Sequence, residues 1–431
     1  MLDKNALKAA MKELIESTAL PTICGVILVS WVKVLAQPPS NKSISLMAYL
    51  CSHNYRMYSV HQHWDPLKTC IVGRSYPLEF YSFISDTKVR STMERIAMET
   101  EEDYQSLIKV LESFGVTVLR PVIGDREQHI QDGMILPPPS TPRDYTAMIG
   151  DRFFIDDRPG FGDAYKHICD HISEQGNSIT KNANINSATV FRIGKDLYCG
   201  APEIDDQEIW NAVRRPNWPA QIPKEFVNKL PPRLINDTKA VKYVQDFISQ
   251  HHLNISNMFP DYRCHFYDFQ GHIDGCFCVV KPGLIISLRD IQDYSVTFPG
   301  WQVIYLEDSN LGLREEFDII KHKNKGRWWV PGEERNEGFI QFVEQYLPRC
   351  VGLIEETVFD VNSLVIDQKN VICTTFSDEI LEAYQQHGIN PIPVNVRHRY
   401  LWDGGLHCMT SDIHRESVQQ DWFPQRSISP G

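Results

Sequence analysis

An α/β fold made of about five strand-strand-helix-strand modules packed on one another is what the sequence predicts from residue 57 onward. Two observations carry this expectation. Four apolar stretches each break at a turn signal, and helical stretches that end near a glycine run straight into β-rich segments. Each module presents a half-buried sheet, and several such sheets bury one another best as a closed ring around an axis.

In chain order, Cys70-Ile71-Val72-Gly73 is the opening strand. Ser91 to Phe114 has helical apolar spacing and stops at Gly115 before Val116-Thr117-Val118-Leu119. The hairpins follow: Tyr145 to Ile155 turning at Gly150-Asp151, Thr189 to Cys199 at Gly194-Lys195, Cys276 to Leu288 at Pro282-Gly283, and Ser363 to Thr374 at Asp367-Gln368-Lys369-Asn370. The helix-plus-strand partners are Lys239 to Ser249 before Tyr262 to Tyr267, Tyr294 to Leu306 with Gly300 inside it, and Glu379 to Gln386 before Ile389 to Val396. Two insertions, Pro202 to Arg233 and the charged Arg314 to Gly338 with its Trp328-Trp329 pair, read as surface excursions or lids.

Composition narrows the function. A net charge of −12 argues against a general nucleic-acid binder, which needs clustered Lys and Arg, and favours a small polar substrate. The 11 cysteines lack paired CxxC spacing, so neither a zinc site nor a disulfide framework is indicated, and no metal or cofactor is expected. Cys276 and Cys278 fall on one face of a strand, as reduced core residues would. Residues 1–56 form an N-terminal extension of unassigned role, 57–417 the main domain and 418–431 a C-terminal tail. Ala19 to Trp31 is mostly apolar, but Pro21, Gly25 and nearby Lys33 leave it shorter than the roughly 20 residues of a spanning helix. Asp3, Glu13 and Glu16 make a poor signal-peptide start. Membrane attachment is therefore not expected, and a cytoplasmic location is.

The candidate active centre is Tyr400 to Thr410, in which Gly404-Gly405-Leu406-His407-Cys408 offers a thiol beside a glycine pair, a histidine and the Thr410 hydroxyl. A cysteine attacks as thiolate and needs an acid/base partner. Polar residues recur just before the hairpins: Asp144, Asn186, His272 with Asp274, and Asp360 with Asn362. A ring would gather them at its axis. Period two in a strand would place His272 and Asp274 on one face.

Together these residues resemble the amidinotransferases of the guanidine-modifying superfamily. The resemblance rests on Trp64-Asp65-Pro66-Leu67 running into Ile71-Val72-Gly73-Arg74, then Pro142-Arg143-Asp144, Arg192 to Tyr198, His272-Ile273-Asp274 and Gly404 to Thr410, in that order over about residues 57–417. It implies a five-bladed, pseudo-symmetric α/β propeller of ββαβ repeats. It also implies a reaction in which Cys408 attacks the guanidinium carbon of a donor, usually L-arginine, His272 protonates the departing amine, and an acceptor amine then takes the amidino group. Asp144 and Asp274 would hold the guanidinium by charge-assisted hydrogen bonds. His407 is grouped with the substrate-binding residues, and a homodimer is compatible with the family.

The chain departs from the family at several points. Asn186 stands where the carboxylate partner of the catalytic histidine is expected, with Thr189 in place of a second acid. Glu355 and Glu356 replace substrate-contacting serines, and Ile291 occupies the position of a carboxylate-binding arginine, leaving Arg289 two residues earlier. Two alternatives to transfer stay open: a deiminase-type guanidine hydrolase, in which water replaces the amine, and a non-catalytic guanidine-binding protein.

Overall fold

A computed structural model describes residues 57–156, 162–182, 185–201, 238–270, 272–287, 293–305, 328–351, 361–374, 378–402 and 404–426. The chain divides into two compact units, Met1–Arg56 and Met57–Gly431, and all the described residues belong to the second.

That unit begins with β1 (Leu67–Val72), followed by α1 (Thr87–Ser113), β2 (Thr117–Leu119) and the short hairpin β3 (Ile130–Gln131) with β4 (Met134–Ile135). Next come β5 (Thr146–Ile149), β6 (Arg152–Ile155), α2 (Gly162–Glu174) and β7 (Ser178–Lys181), then β8 (Val190–Ile193), β9 (Asp196–Ala201), α3 (Thr238–Met258) and β10 (Arg263–Gln270). The rest is β11 (Phe277–Lys281), β12 (Leu284–Ser287), α4 (Tyr294–Thr297), β13 (Gln302–Tyr305), α5 (Glu337–Tyr346), β14 (Leu364–Asp367), β15 (Asn370–Cys373), α6 (Asp378–Gln386), β16 (Asn390–Pro393), α7 (Arg399–Trp402) and β17 (Thr410–Arg415).

Among the described residues the strands form five three-stranded sheets and the β3-β4 pair. Four sheets repeat one plan, an antiparallel hairpin whose second strand pairs in parallel with a third strand: β5-β6-β7, β8-β9-β10, β11-β12-β13 and β14-β15-β16. In the fifth sheet β1 pairs in parallel with β2 and antiparallel with β17, from the far end of the chain. The hairpins turn where expected because Gly150, Gly194 and Gly283 supply positive φ of 59°, 62° and 84°.

Helix α1 shows how pattern becomes packing. Asp86 caps its start by accepting from the backbone N–H groups of Lys88 and Val89, and Gly115 at φ 74° ends it. Its buried stripe runs Val89, Met93, Ile96, Ala97, Thr100, Tyr104, Leu107 and Leu111, the three-and-four spacing of one helical face. Part of this stripe meets Trp328, Val330 and Phe339 in a single apolar cluster.

Here the structure corrects one expectation. Trp328 and Trp329 are not on a surface excursion but 1% and 2% exposed, their indole N–H groups donating to Glu344 and Glu334. The charged lead-in misled the reading, whereas a buried indole with a polar partner is an ordinary core residue. Residues 306–327 and the Pro202 to Arg233 insertion lie outside the described residues. Beyond residue 417, Trp422 and Phe423 pack into the cluster around Trp64, and Arg263 binds both Asp196 and Asp421. No described helix is long and apolar enough to cross a membrane.

At the heart of the unit one buried carboxylate serves three buried guanidinium groups. Asp412 on β17 is fully buried, with Arg143 Nη2 at 3.1 Å, Arg192 Nη2 at 3.0 Å and Arg415 Nε at 2.8 Å. Burial opposes its charge, but the three arginines more than compensate and hold Asp412 well below the usual carboxylate range. Removing one partner from such a group leaves buried charge without compensation. Asp412→Asn should therefore cost roughly 3–5 kcal/mol in denaturant unfolding; a loss under about 1 kcal/mol would show that the arginines are neutralised elsewhere.

Candidate active site

The nucleophile candidate lies on the turn that enters β17. Met409 N–H donates to Gly405 O, and the Thr410 hydroxyl donates to the carbonyls of Leu406 and His407. Thr410 thus closes the turn instead of serving the thiol. The glycine pair is required by close approach: neither residue has positive φ, but a Cβ on Gly404 would sit 2.7 Å from Thr141, and one on Gly405 2.6 Å from Asn362 Oδ1.

Cys408 is 6% exposed, with its Sγ 3.5 Å from Asp274 Oδ2 and 3.1 Å from Asn362 Nδ2. The same Asp274 oxygen lies 2.7 Å from His407 Nδ1. Asn362 Oδ1 accepts from the backbone N–H groups of both His407 and Cys408, at 3.0 Å each, and its amide also reaches Asp274 O. Four residues from three segments thereby form one buried constellation.

Its electrostatics follow from burial and neighbours. Burial and the Arg143 charge push His407 down to about 4, and the bond to Asp274 only partly offsets them. His407 is therefore neutral at pH 7, its Nδ1–H donating to Asp274. For Asp274 burial works upward, but the hydrogen bond from His407 and the charges around it, including His272 and Arg143, outweigh it and leave the carboxylate below its ordinary value. An anionic oxygen 3.5 Å from Sγ suits a bound cation and opposes a lone thiolate. Behind His407, His63 stacks on Phe191 at 3.7 Å, with its ring 5.7 Å from that of His407.

His272 stands nearer the surface, side chain 36% exposed, with Nδ1 3.5 Å from Asp144 Oδ1. Two expectations change at this point. Residues 273–275 form a 3-10 turn, so His272 and Asp274 do not share a strand face, and one is half-exposed while the other is 2% exposed. Asn186 does not pair with His272, because its Oδ1 accepts from the N–H groups of Ala188 and Thr189 and from the Thr189 hydroxyl, the ordinary behaviour of an Asx turn. Among the described residues, the carboxylate beside His272 is Asp144. Arg289, Glu355 and Glu356 lie outside the described residues, as does Asp360.

The arrangement brings Cys408, His407 and Asp274 together and sets His272 and Asp144 beside each other. Asn362, marked in the sequence only by its place before a hairpin, touches the sulfur. Arg143 was noted only as part of a motif, yet its Nε donates to the carbonyls of His407 and Thr410 and so holds the nucleophile turn from below. Among the described residues no group of three or more His, Cys, Asp or Glu is placed to hold a metal ion. Chemically, the site joins a thiol to carboxylates that can accept from a planar cation, with an imidazole at the mouth to move a proton.

Comparison with solved structures gives the fold class first. The inosamine-phosphate amidinotransferase of Streptomyces griseus aligns with a TM-score of 0.52 at 17% identity, over 85% of this chain and 99% of its own. An amidinotransferase from the saxitoxin biosynthetic pathway of Microseira wollei aligns with a TM-score of 0.52 at 16% identity, over 85% of this chain and 100% of its own. The chain therefore has the α/β fold of these proteins. In sequence, the mitochondrial glycine amidinotransferase of Gallus gallus is 26% identical over 171 residues, 38% of this chain and 32% of that protein. The Danio rerio protein of the same name is 23% identical over 173 residues, 38% of this chain and 32% of its own length. The matched stretch thus spans about a third of these relatives, and no family model matches. The chain is related to the amidinotransferases by both sequence and fold.

The depressed His407 sets a pH dependence. Unfolded, the imidazole binds its proton near 6.5; folded, it does so only at about 4. The folded state binds fewer protons in between, so stability is full above about 6.5 and falls as pH drops toward 4. His407→Asn, whose amide can still donate to Asp274, should flatten the melting temperature between pH 7 and pH 4.5. A residual slope remains from the other histidines that burial lowers, His63 and His251 among them, and an unaltered slope would show that His407 is not buried neutral.

Proposed function

We propose that the protein transfers an amidino group from L-arginine to an amine acceptor, releasing L-ornithine, through an amidino-cysteine on Cys408. The observation that carries this reading is the Cys408 thiol seated against Asp274 in a chain related to amidinotransferases. Arginine brings a planar cation, and Asp274 with Asp144 offers acceptors that orient its central carbon toward sulfur, the positioning part of catalysis. The Cys408 thiolate forms a C–S bond to that carbon. The C–N bond to ornithine then breaks, and His272 delivers a proton to the leaving amine. The acceptor amine next attacks the amidino carbon, gives its proton to His272 and displaces the thiolate. Asp144, 3.5 Å from His272, supports the protonated imidazole, the role sequence reasoning assigned to position 186.

The five sheets are proposed to stand around a common axis, so that the residues preceding the hairpins converge there. A cytoplasmic location is likewise proposed, and no disulfide joins the nine described cysteines, as a reducing compartment would keep them.

Incubation with arginine and rapid acid quench tests the reading: intact-mass analysis should show one added amidino group on Cys408 and none in Cys408→Ala. Unmodified protein with no ornithine released would end the proposal, and citrulline as the product would replace transfer by hydrolysis. Asp144→Asn exchanges a charge-assisted contact for a neutral one and should weaken arginine binding roughly tenfold or more by calorimetry. Unchanged affinity would remove Asp144 from the donor site.

A further inference from the structure

Another buried cysteine near this site, Cys278, is held as an unreactive thiol. Cys278, 6% exposed and near Asp274, is pushed up to about 12 by burial first and by the Asp274 charge second. Cys408 shares both conditions, being 6% exposed and 3.5 Å from the same carboxylate. Something must distinguish the two sulfurs if one is to attack carbon at neutral pH. The difference between them is a donor. Among the described residues Cys278 Sγ meets the Ser363 carbonyl, an acceptor that favours the protonated thiol, whereas Cys408 Sγ receives Asn362 Nδ2 at 3.1 Å.

We infer that Asn362 is a catalytic residue: its Nδ2–H stabilises the Cys408 thiolate, while its Oδ1 fixes the backbone that carries the nucleophile. Asn362 is 1% exposed, and its partners hold the amide in one orientation. Oδ1 accepts from His407 N–H and Cys408 N–H, so the nitrogen must face the sulfur and Asp274 O. Flipping the amide would set its N–H groups against two backbone donors. The Gly405 position completes the arrangement, since any side chain there would collide with Asn362. Several charged groups of the described residues surround Cys408. Asp274 and His272 come from one turn, Asp144 and Arg143 from another, neutral His407 from its own, and His63, Arg192, Asp412 and Arg415 lie behind. Of these, Asp274 opposes the thiolate directly and the buried arginines favour it at longer range, while Asn362 is a neutral donor in contact with sulfur.

The inference rests on Cys408 being the nucleophile but not on the reaction it performs, and the experiment separates the two. Iodoacetamide is attacked by the thiolate at its methylene carbon with loss of iodide, so the pH profile of Cys408 alkylation, resolved by peptide mass, reports thiol ionisation without any guanidine substrate. Asn362→Asp keeps the acceptor oxygen and loses the donor. It should move the profile up by at least about one pH unit and slow alkylation at pH 7 about tenfold. Asn362→Ser, which restores a small donor, should fall between the two. A folded Asn362→Asp or Asn362→Ser protein whose profile superimposes on the parent would overturn the inference. The parent alone supplies a further measure: its thiolate absorbance, taken as the difference from Cys408→Ala, should titrate well below the range of Cys278. A Cys408 that ionises only as high as Cys278 would overturn the inference even if neither variant folds. Alkylation behaving as expected in a protein that forms no amidino adduct would sink the transferase reading and leave Asn362 in place.

Discussion

The contact on which the rest depends is the one between Asp412 and its three arginines. Each arginine arrives from a different place: Arg143 from the turn before β5, Arg192 from β8, and Arg415 from β17 itself, reaching on to the carbonyls of Asp65 and Val365. One carboxylate therefore ties four of the five sheets to a single point. Two positive charges in excess of the anion would be costly in so dry an interior, and part of that cost is offset by backbone carbonyls, those of His407 and Thr410 among them. Those last two carbonyls belong to the turn that carries Cys408. The charge cluster and the site are thus one construction, in which stability of the centre and placement of the sulfur share the same bonds.

Much of this was legible in the sequence, and the reasons are local. The hairpins could be read because Gly150, Gly194 and Gly283 mark turns that need positive φ, and because the strands around them are apolar on both sides of each turn. Helix α1 was legible because its stripe repeats over many turns. The nucleophile turn stood out because two glycines before a His-Cys pair is an unusual local demand. What escaped were features decided by distant partners. Trp328 and Trp329 follow a charged run, and only the presence of Glu344 and Glu334 makes their burial sensible. Asn186 was assigned by matching a position, whereas its side chain satisfies its own turn. Asn362 carried no signal beyond its place before a hairpin, since a lone Asn there is usually a cap, and its contact with Cys408 is a fact of three dimensions.

The site also divides its labour by depth. Asp274 and His407 are buried in fixed protonation states, so they set geometry and field. His272 and Asp144 sit nearer solvent, where an imidazole can exchange protons with water, as the proposed proton carrier must. A group proposed to carry protons is of little use sealed in the core.

The pairing of β17 with β1 bears on how the protein is made. Val72 lies opposite Thr410, and Leu67 opposite Arg415, so the first sheet is finished by a strand from the other end of the domain. During synthesis β1 waits with an unpaired edge until almost the whole domain has left the ribosome, and the loop to be closed is among the longest the chain can offer. The thiol, placed immediately before that last strand, takes up its position only when the fold is complete. Nascent fragments then carry an exposed strand before the thiol site is assembled, which makes them prone to stray pairing.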